Sequence, residues 1–219
     1  MSLPLFPIPF LIITVLLLIR AEFRVEQRQI YFFKPLSTLL VILVAVLSFS
    51  TPDVNVGYTV GILAGLLLSL GGDVALMFPE DKAFLVGLVL FLLGHVAYIV
   101  TFTLFNGFYT GDLISGLVLL ILAIVVYRYL EPGLGKMRGP VIGYITIICL
   151  MVNRAVSVIF GAFTPTQTWL IIMGATLFWM SDLMLAVNRF RRPFEAHRFS
   201  LALYYGGQLL IALSPAYFG

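Results

Sequence analysis

The chain is a succession of apolar runs of about 20 residues, the length at which an α-helix spans a hydrocarbon layer. Each run is closed by proline, glycine or a cluster of charge. Eight are read, near 4–20, 34–50, 57–77, 83–105, 112–130, 139–160, 166–188 and 198–217. They are too long and too continuous for barrel strands, and in lipid every backbone polar group must be paired within its own segment. The expected fold is therefore all-α, a polytopic membrane bundle of eight helices forming one integral membrane domain over 1–219, with half-repeats at 1–110 and 111–219. At 61% hydrophobic and 11% charged, the 219 residues lack the polar surface that a soluble domain requires.

Charge orients the bundle. Arg20, Arg24, Arg28 and Lys34 lie in or beside the first loop, Lys82 in the third, Arg128, Lys136 and Arg138 in the fifth, and Arg189, Arg191, Arg192 and Arg198 in the seventh. Twelve of the 13 basic residues thus fall on one side, which the positive-inside rule makes cytoplasmic, with both termini on the other. The opening run has no basic residue before it and is expected to be retained as the first span. Because the basic residues sit in short loops and not in a stripe, no nucleic-acid partner is expected. Cys149 is the single cysteine, in an apolar stretch, which excludes an intrachain disulfide and makes redox chemistry a poor expectation.

Two segments repeat. Gly65 to Leu76 (GLLLSLGGDVAL) and Gly174 to Leu185 (GATLFWMSDLML) share the pattern G-x2-L-x4-D-x2-L, which puts Asp73 and Asp182 at equivalent points 109 positions apart. A carboxylate in a hydrocarbon-spanning helix costs roughly 2.5–3.5 kcal/mol on insertion scales and ordinarily faces the bundle interior. With four helices per half the copies run parallel, and both aspartates come four to six residues before the cytoplasmic end of their runs, about 6–9 Å below it. They are expected to meet across a pseudo-twofold axis.

Other polar residues join them as candidates. Lys34 with Pro35 is expected to open the second helix, His95 and Tyr98 are three apart in the fourth, Asn153 and Arg154 are adjacent in the sixth, and Tyr204 and Gln208 share a face of the eighth. The bland readings are an Asp–Arg structural pair, a His–Tyr interhelical hydrogen bond, and topogenic or lipid-headgroup contacts for Lys34 and the basic loops. The Gly71–Gly72 pair reads as a point of close helix approach. No HExxH, GxSxG, phosphate-binding glycine loop or cysteine pair is present, so no metal site and no cofactor are expected, and acid–base chemistry remains.

At these residues the chain resembles the lysoplasmalogenase (YhhN-like) family of membrane proteins. The resemblance is carried over nearly the whole chain by Lys34–Pro35, by GD-x-x-L-M at Gly72 to Met77, by GH-x-x-Y at Gly94 to Tyr98, by Asn153–Arg154 and by SD-x-x-L at Ser181 to Leu185. It implies hydrolysis of the vinyl ether of lysoplasmalogens to a fatty aldehyde and glycerophosphoethanolamine or glycerophosphocholine, so that the partners are a vinyl-ether lysophospholipid, water and membrane lipids. The location implied is the inner membrane of a bacterium or the endoplasmic reticulum of a eukaryote.

Vinyl ether hydrolysis needs a proton for the alkene carbon, an anion beside the resulting oxocarbenium ion, and water to capture it. Two carboxylates in low dielectric resist ionising together, so one holds a proton while the other carries charge, as in glycosidases. Asp73 and Asp182 are accordingly the expected acid and base or stabiliser, with the assignment between them open. Lys34, His95, Tyr98, Asn153, Arg154, Tyr204 and Gln208 are expected to bind substrate or water. The competing reading is a proton-coupled carrier using the same paired carboxylates. A lipid-binding protein without chemistry is the third.

Overall fold

A computed structural model of the chain describes residues 3–218. Eight α-helices carry the fold: α1 (Ile8–Arg24), α2 (Gln27–Leu47), α3 (Val56–Ala75), α4 (Asp81–Asn106), α5 (Gly111–Leu134), α6 (Arg138–Ser157), α7 (Pro165–Phe190) and α8 (Ser200–Leu213). No β-strand occurs among the described residues. Seven helical stretches are long and apolar enough to cross a membrane, one of them the 50-residue Gly111–Phe160 that contains both α5 and α6. Within it the chain doubles back. Leu130 and Leu134 of α5 pack on Val141 of α6, while Asp112 at the opposite end of α5 bonds Arg154 near the end of α6. The reversal is at Gly135, whose φ of +49° is the left-handed region that glycine adopts without strain. The protein is a multi-pass membrane protein, and large apolar side chains such as Leu104, Leu113, Ile114 and Leu117 point outward, as lipid requires.

Most boundaries fall where the sequence places them, with two differences that bear on the site. The α2 helix begins at Gln27, so Lys34 and Pro35 sit two turns inside it and do not open it. Pro35 has no N–H to give the Tyr31 carbonyl one turn back, and the neighbouring Lys34 carbonyl accepts from the Tyr205 hydroxyl of α8 at 2.9 Å. The second difference concerns depth. Asp73 is two residues from the end of α3, which Pro79 soon interrupts, whereas α7 runs eight residues past Asp182 to Phe190 because no proline intervenes before Pro193.

Two helix starts are capped by a short polar side chain. Asn55 accepts from the Tyr58 N–H at 3.0 Å ahead of α3, and Thr164 from the Gln167 N–H at 3.2 Å ahead of α7. Small residues set the helix spacing. A Cβ on Gly94 of α4 would stand 3.1 Å from the Gly65 carbonyl of α3, and one on Gly207 of α8 would stand 2.7 Å from the Gly174 carbonyl of α7. The repeated glycines, Gly65 and Gly174, therefore do corresponding work in two antiparallel helix pairs: with no side chain between them the backbones approach closely, which is how helices gain packing energy in lipid. Gly72 serves the same pair, since a Cβ there would stand 2.7 Å from the Phe91 ring.

The spacing predicts a contrast. Gly207→Ala forces a methyl into the α7 backbone and should destabilise the protein by about 1–3 kcal/mol. Gly143→Ala, at a helix position with nothing within 4 Å, should be neutral or slightly stabilising. Thermal unfolding of the two detergent-solubilised variants beside wild type checks both signs.

Candidate active site

Two polar clusters lie inside the bundle. The first surrounds Asp73, which is only 2% exposed. Thr38 Oγ1 of α2 and the Tyr204 hydroxyl of α8 each donate to Asp73 Oδ2 at 2.6 Å, and Lys34 Nζ lies 3.8 Å from Oδ1. Two hydroxyl donors and an ammonium make a shell complementary to a carboxylate anion, which is what a buried carboxylate needs. The shell is itself supported. Gln208 Nε2 donates to the Tyr204 oxygen at 3.4 Å and Gln208 Oε1 accepts from the Tyr98 hydroxyl at 2.8 Å.

The second cluster surrounds Asp182. The Tyr144 hydroxyl of α6 donates to Asp182 Oδ2, and His95 Nε2 of α4 stands 3.5 Å from that oxygen and 3.1 Å from the Tyr144 hydroxyl. His95 is fully buried, and its Nδ1 has no hydrogen-bond partner among the described residues. A neutral ring with its proton on Nε2 suits this arrangement, because a bare ring nitrogen is easier to bury than an unpaired N–H.

The two carboxylates share no hydrogen-bond partner. Aromatic rings stand between the clusters. Phe178 lies 4.7 Å from the His95 ring and 5.2 Å from the Tyr204 ring, and Phe91 lies 5.9 Å from Tyr204. The partners follow one scheme in both halves. Asp73 on α3 draws on α2 of its own half and α8 of the other, and Asp182 on α7 draws on α6 of its own half and α4 of the other.

The two aspartates face different surroundings. Asp182 and Tyr144 line an apolar cavity whose walls include Leu88, Phe91, Ile148 and Trp179. Asp73 is not among its walls, although Lys34 lines a second, polar cavity at the basic end of the bundle. Leu76, Phe84 and Leu185 border both spaces, so the apolar cavity and the polar one adjoin.

Of the candidate residues, Lys34, Tyr204, Gln208 and Tyr98 gather around Asp73, and His95 joins Asp182. His95 and Tyr98, though three apart, thus serve different clusters. Asn153 and Arg154 join neither. They lie about ten residues, or some 15 Å, further along α6 than Tyr144. There Arg154 Nη1 bonds Asp112 Oδ2 at 2.6 Å, Nε bonds Thr103 Oγ1 at 3.1 Å, Nη2 bonds the Gly107 carbonyl, and the guanidinium faces the Phe108 ring at 4.4 Å. Asn153 Nδ2 donates to Ser115 Oγ at 2.8 Å and to the Asp112 carbonyl at 3.0 Å. This group binds the ends of α4, α5 and α6 together, the reason being that Asp112, which no repeat or motif marked, supplies the anion that a buried guanidinium requires.

Sequence reasoning also missed Thr38 and Tyr144. Thr38 had a signal, one turn beyond Lys34 and so on the same face of α2. Tyr144 had none, since only tertiary packing brings α6 against α7 at that height.

Fold and site together define a multi-pass helical membrane protein with two carboxylates held inside its bundle, one of them at the wall of an apolar cavity. Comparison of sequences then identifies the lineage: the chain belongs to the YhhN family, whose sequence model matches residues 29–215. The chain is 33% identical over 157 residues to lysoplasmalogenase TMEM86A of Bos taurus, an alignment covering 70% of this chain and 64% of that protein, so it spans just under two thirds of that relative's length. It is 32% identical over 182 residues to lysoplasmalogenase TMEM86B of Sus scrofa, covering 82% and 71% of the two chains. It is 30% identical over 199 residues to the uncharacterized membrane protein YhhN of Escherichia coli O157:H7, covering 89% and 90%. No solved structure matches the chain.

Arg154 should behave as a structural residue. Removing one partner of a buried ion pair typically costs about 3–5 kcal/mol. Arg154→Gln should therefore lower thermal stability sharply, and adding Asp112→Asn, which removes the stranded charge, should restore part of it. Unfolding of the single and double variants in detergent measures both effects.

Proposed function

We propose that this protein is a lysoplasmalogenase, which hydrolyses the vinyl ether of an alkenyl lysophospholipid within the bundle, with both termini facing away from the cytoplasm across eight spans. The observation that carries the reading is the placement of Asp182 with Tyr144 in the wall of an apolar cavity, beside a second carboxylate already paired with an ammonium. Relatives named lysoplasmalogenase support it. The alkenyl tail occupies the apolar cavity, and the first atoms of the chain lie against Asp182. The basic loops face the cytoplasm, so substrate comes from the cytoplasmic leaflet.

The roles divide as the surroundings do. Asp182 is the acid and gives its carboxyl proton to the alkene carbon remote from oxygen. The C=C bond becomes C–H and an oxocarbenium ion forms at the carbon bonded to oxygen. Asp182, now a carboxylate, stabilises that cation and takes a proton from the water that attacks it, which yields a hemiacetal and restores the acid. The hemiacetal hydroxyl proton passes to the departing glycerol oxygen as the C–O bond breaks, leaving aldehyde and alcohol. Tyr144 orients Asp182. Asp73, with Lys34, Thr38 and Tyr204 around it, is the electrostatic stabiliser on the far side of the Phe91 and Phe178 rings, and its pairing with Lys34 keeps that charge from opposing the oxocarbenium ion.

Purified protein supplied with lysoplasmenylethanolamine should release fatty aldehyde. Asp182→Asn should lower kcat by about 10²–10⁴, the usual worth of general acid–base catalysis. Asp73→Asn should lower it less, because its charge acts through space. Full activity in either variant overturns the two-carboxylate reading, and proton-dependent uptake into liposomes without aldehyde would establish a carrier in its place.

A further inference from the structure

The polar cavity beside the catalytic one has the chemistry of a headgroup site. Its walls include Glu22 of α1, Lys34 of α2, Asn188 and Arg189 of α7, and His197 and Arg198 of the seventh loop. It meets the apolar cavity at Leu76, Phe84 and Leu185. Leu185 is one turn of α7 from Asp182. A lysolipid lying across that border has its polar end in one cavity and its tail in the other, with the bond between them beside Asp182.

The charges in this vestibule differ in how they are committed. Arg189 pairs with Asp81 at 2.5 Å and lies 4.9 Å over the Phe84 ring, so it is occupied as a tie between α4 and α7. Lys34 faces Asp73. The Arg198 guanidinium lies 5.0 Å over the Phe23 ring, and no carboxylate pairs with it among the described residues. Glu22 likewise has no cationic partner among them. Both are half-buried. An uncommitted guanidinium and an uncommitted carboxylate thus line one cavity without neutralising each other. A guanidinium suits phosphate through paired N–H donors, and a carboxylate suits an ammonium.

We infer that this vestibule binds the zwitterionic headgroup of the lysolipid, with the phosphate on Arg198 and the ammonium on Glu22. The inference rests on the lysolipid reading above and deepens it. Arg198 and Glu22 are binding residues and not catalytic ones, because both stand apart from the Asp182 cluster. Stacking on Phe23 holds the guanidinium plane, so lysine at 198 keeps the charge but loses the stacked fork.

Binding of uncleavable 1-alkyl ether lipids tests the assignment, read through the fluorescence of Trp179 in the tail cavity. Three lipids that share one tail separate the contacts: 1-alkylglycerophosphoethanolamine, 1-alkylglycerophosphate and 1-alkylglycerol. Arg198→Gln should weaken both phosphate-bearing lipids about tenfold, the loss of one charge-assisted hydrogen bond, and leave 1-alkylglycerol unaffected. Arg198→Lys should fall between. Glu22→Gln should weaken only the ethanolamine lipid.

Equal losses on all three lipids, or no loss on any, overturn the headgroup assignment. So does inorganic phosphate competing as well as 1-alkylglycerophosphate, which would make the vestibule a general anion site. Because these ligands cannot be cleaved, the two readings fail separately. Headgroup-dependent binding with no aldehyde from the vinyl ether substrate sinks the hydrolase and leaves the vestibule standing. Aldehyde release with binding indifferent to Arg198 and Glu22 does the reverse.

Discussion

A carboxylate inside lipid must be surrounded by donors, and a single helix cannot supply them to its own side chain. Asp73 and Asp182 therefore act as clasps. To satisfy Asp73, α2 and α8 must come against α3, and to satisfy Asp182, α4 and α6 must come against α7. Each aspartate takes one donor helix from its own half of the chain and one from the other, so the two clusters lock the halves together. Glycine at Gly65, Gly94, Gly174 and Gly207 permits the approach that these bonds demand. Packing and polar satisfaction are thus two aspects of one requirement, because lipid offers no hydrophobic gain for helix association and only close contact or hydrogen bonding can hold the bundle.

The same requirement grades the molecule from end to end. Toward one end the basic loops converge, with Arg198 over Phe23, Arg189 on Asp81 and Arg191 over Tyr129 tying the seventh loop to the other three. That end holds the polar vestibule and the border with the apolar cavity. Toward the other end Arg154 and Asp112 cancel each other, and Tyr58, Phe163 and Phe218 pack ring on ring beside the Tyr58 to Ser214 hydrogen bond. One end holds the two adjoining cavities and the other is closed by packing.

The parts visible in the sequence were those with a local cause. Helix identity followed from apolar length, and Asp73 and Asp182 announced themselves by standing in such runs at equivalent places. Gly71 and Gly72 read as a point of close approach, and Gly72 indeed seats Phe91. Tyr204 and Gln208 share a helix face and share a hydrogen bond. Where reasoning went astray, a distant partner decided the matter. Arg154 looked as available to the aspartates as any buried cation, but Asp112, 42 positions earlier, takes it. His95 and Tyr98 looked like one unit, but His95 meets Tyr144 of α6 and Asp182 of α7 while Tyr98 bonds Gln208 of α8.

By itself the sequence determined that this chain is an all-helical membrane protein and that two matched carboxylates lie within it, because hydropathy and the cost of burying charge are properties of each segment alone. Only the tertiary structure decided that those carboxylates occupy separate clusters, that one borders the apolar cavity while the other is enclosed, and that Thr38 and Tyr144 serve them. Those outcomes depend on which helices meet and at what height, and that is settled by glycine contacts and hydrogen bonds between residues far apart in the chain.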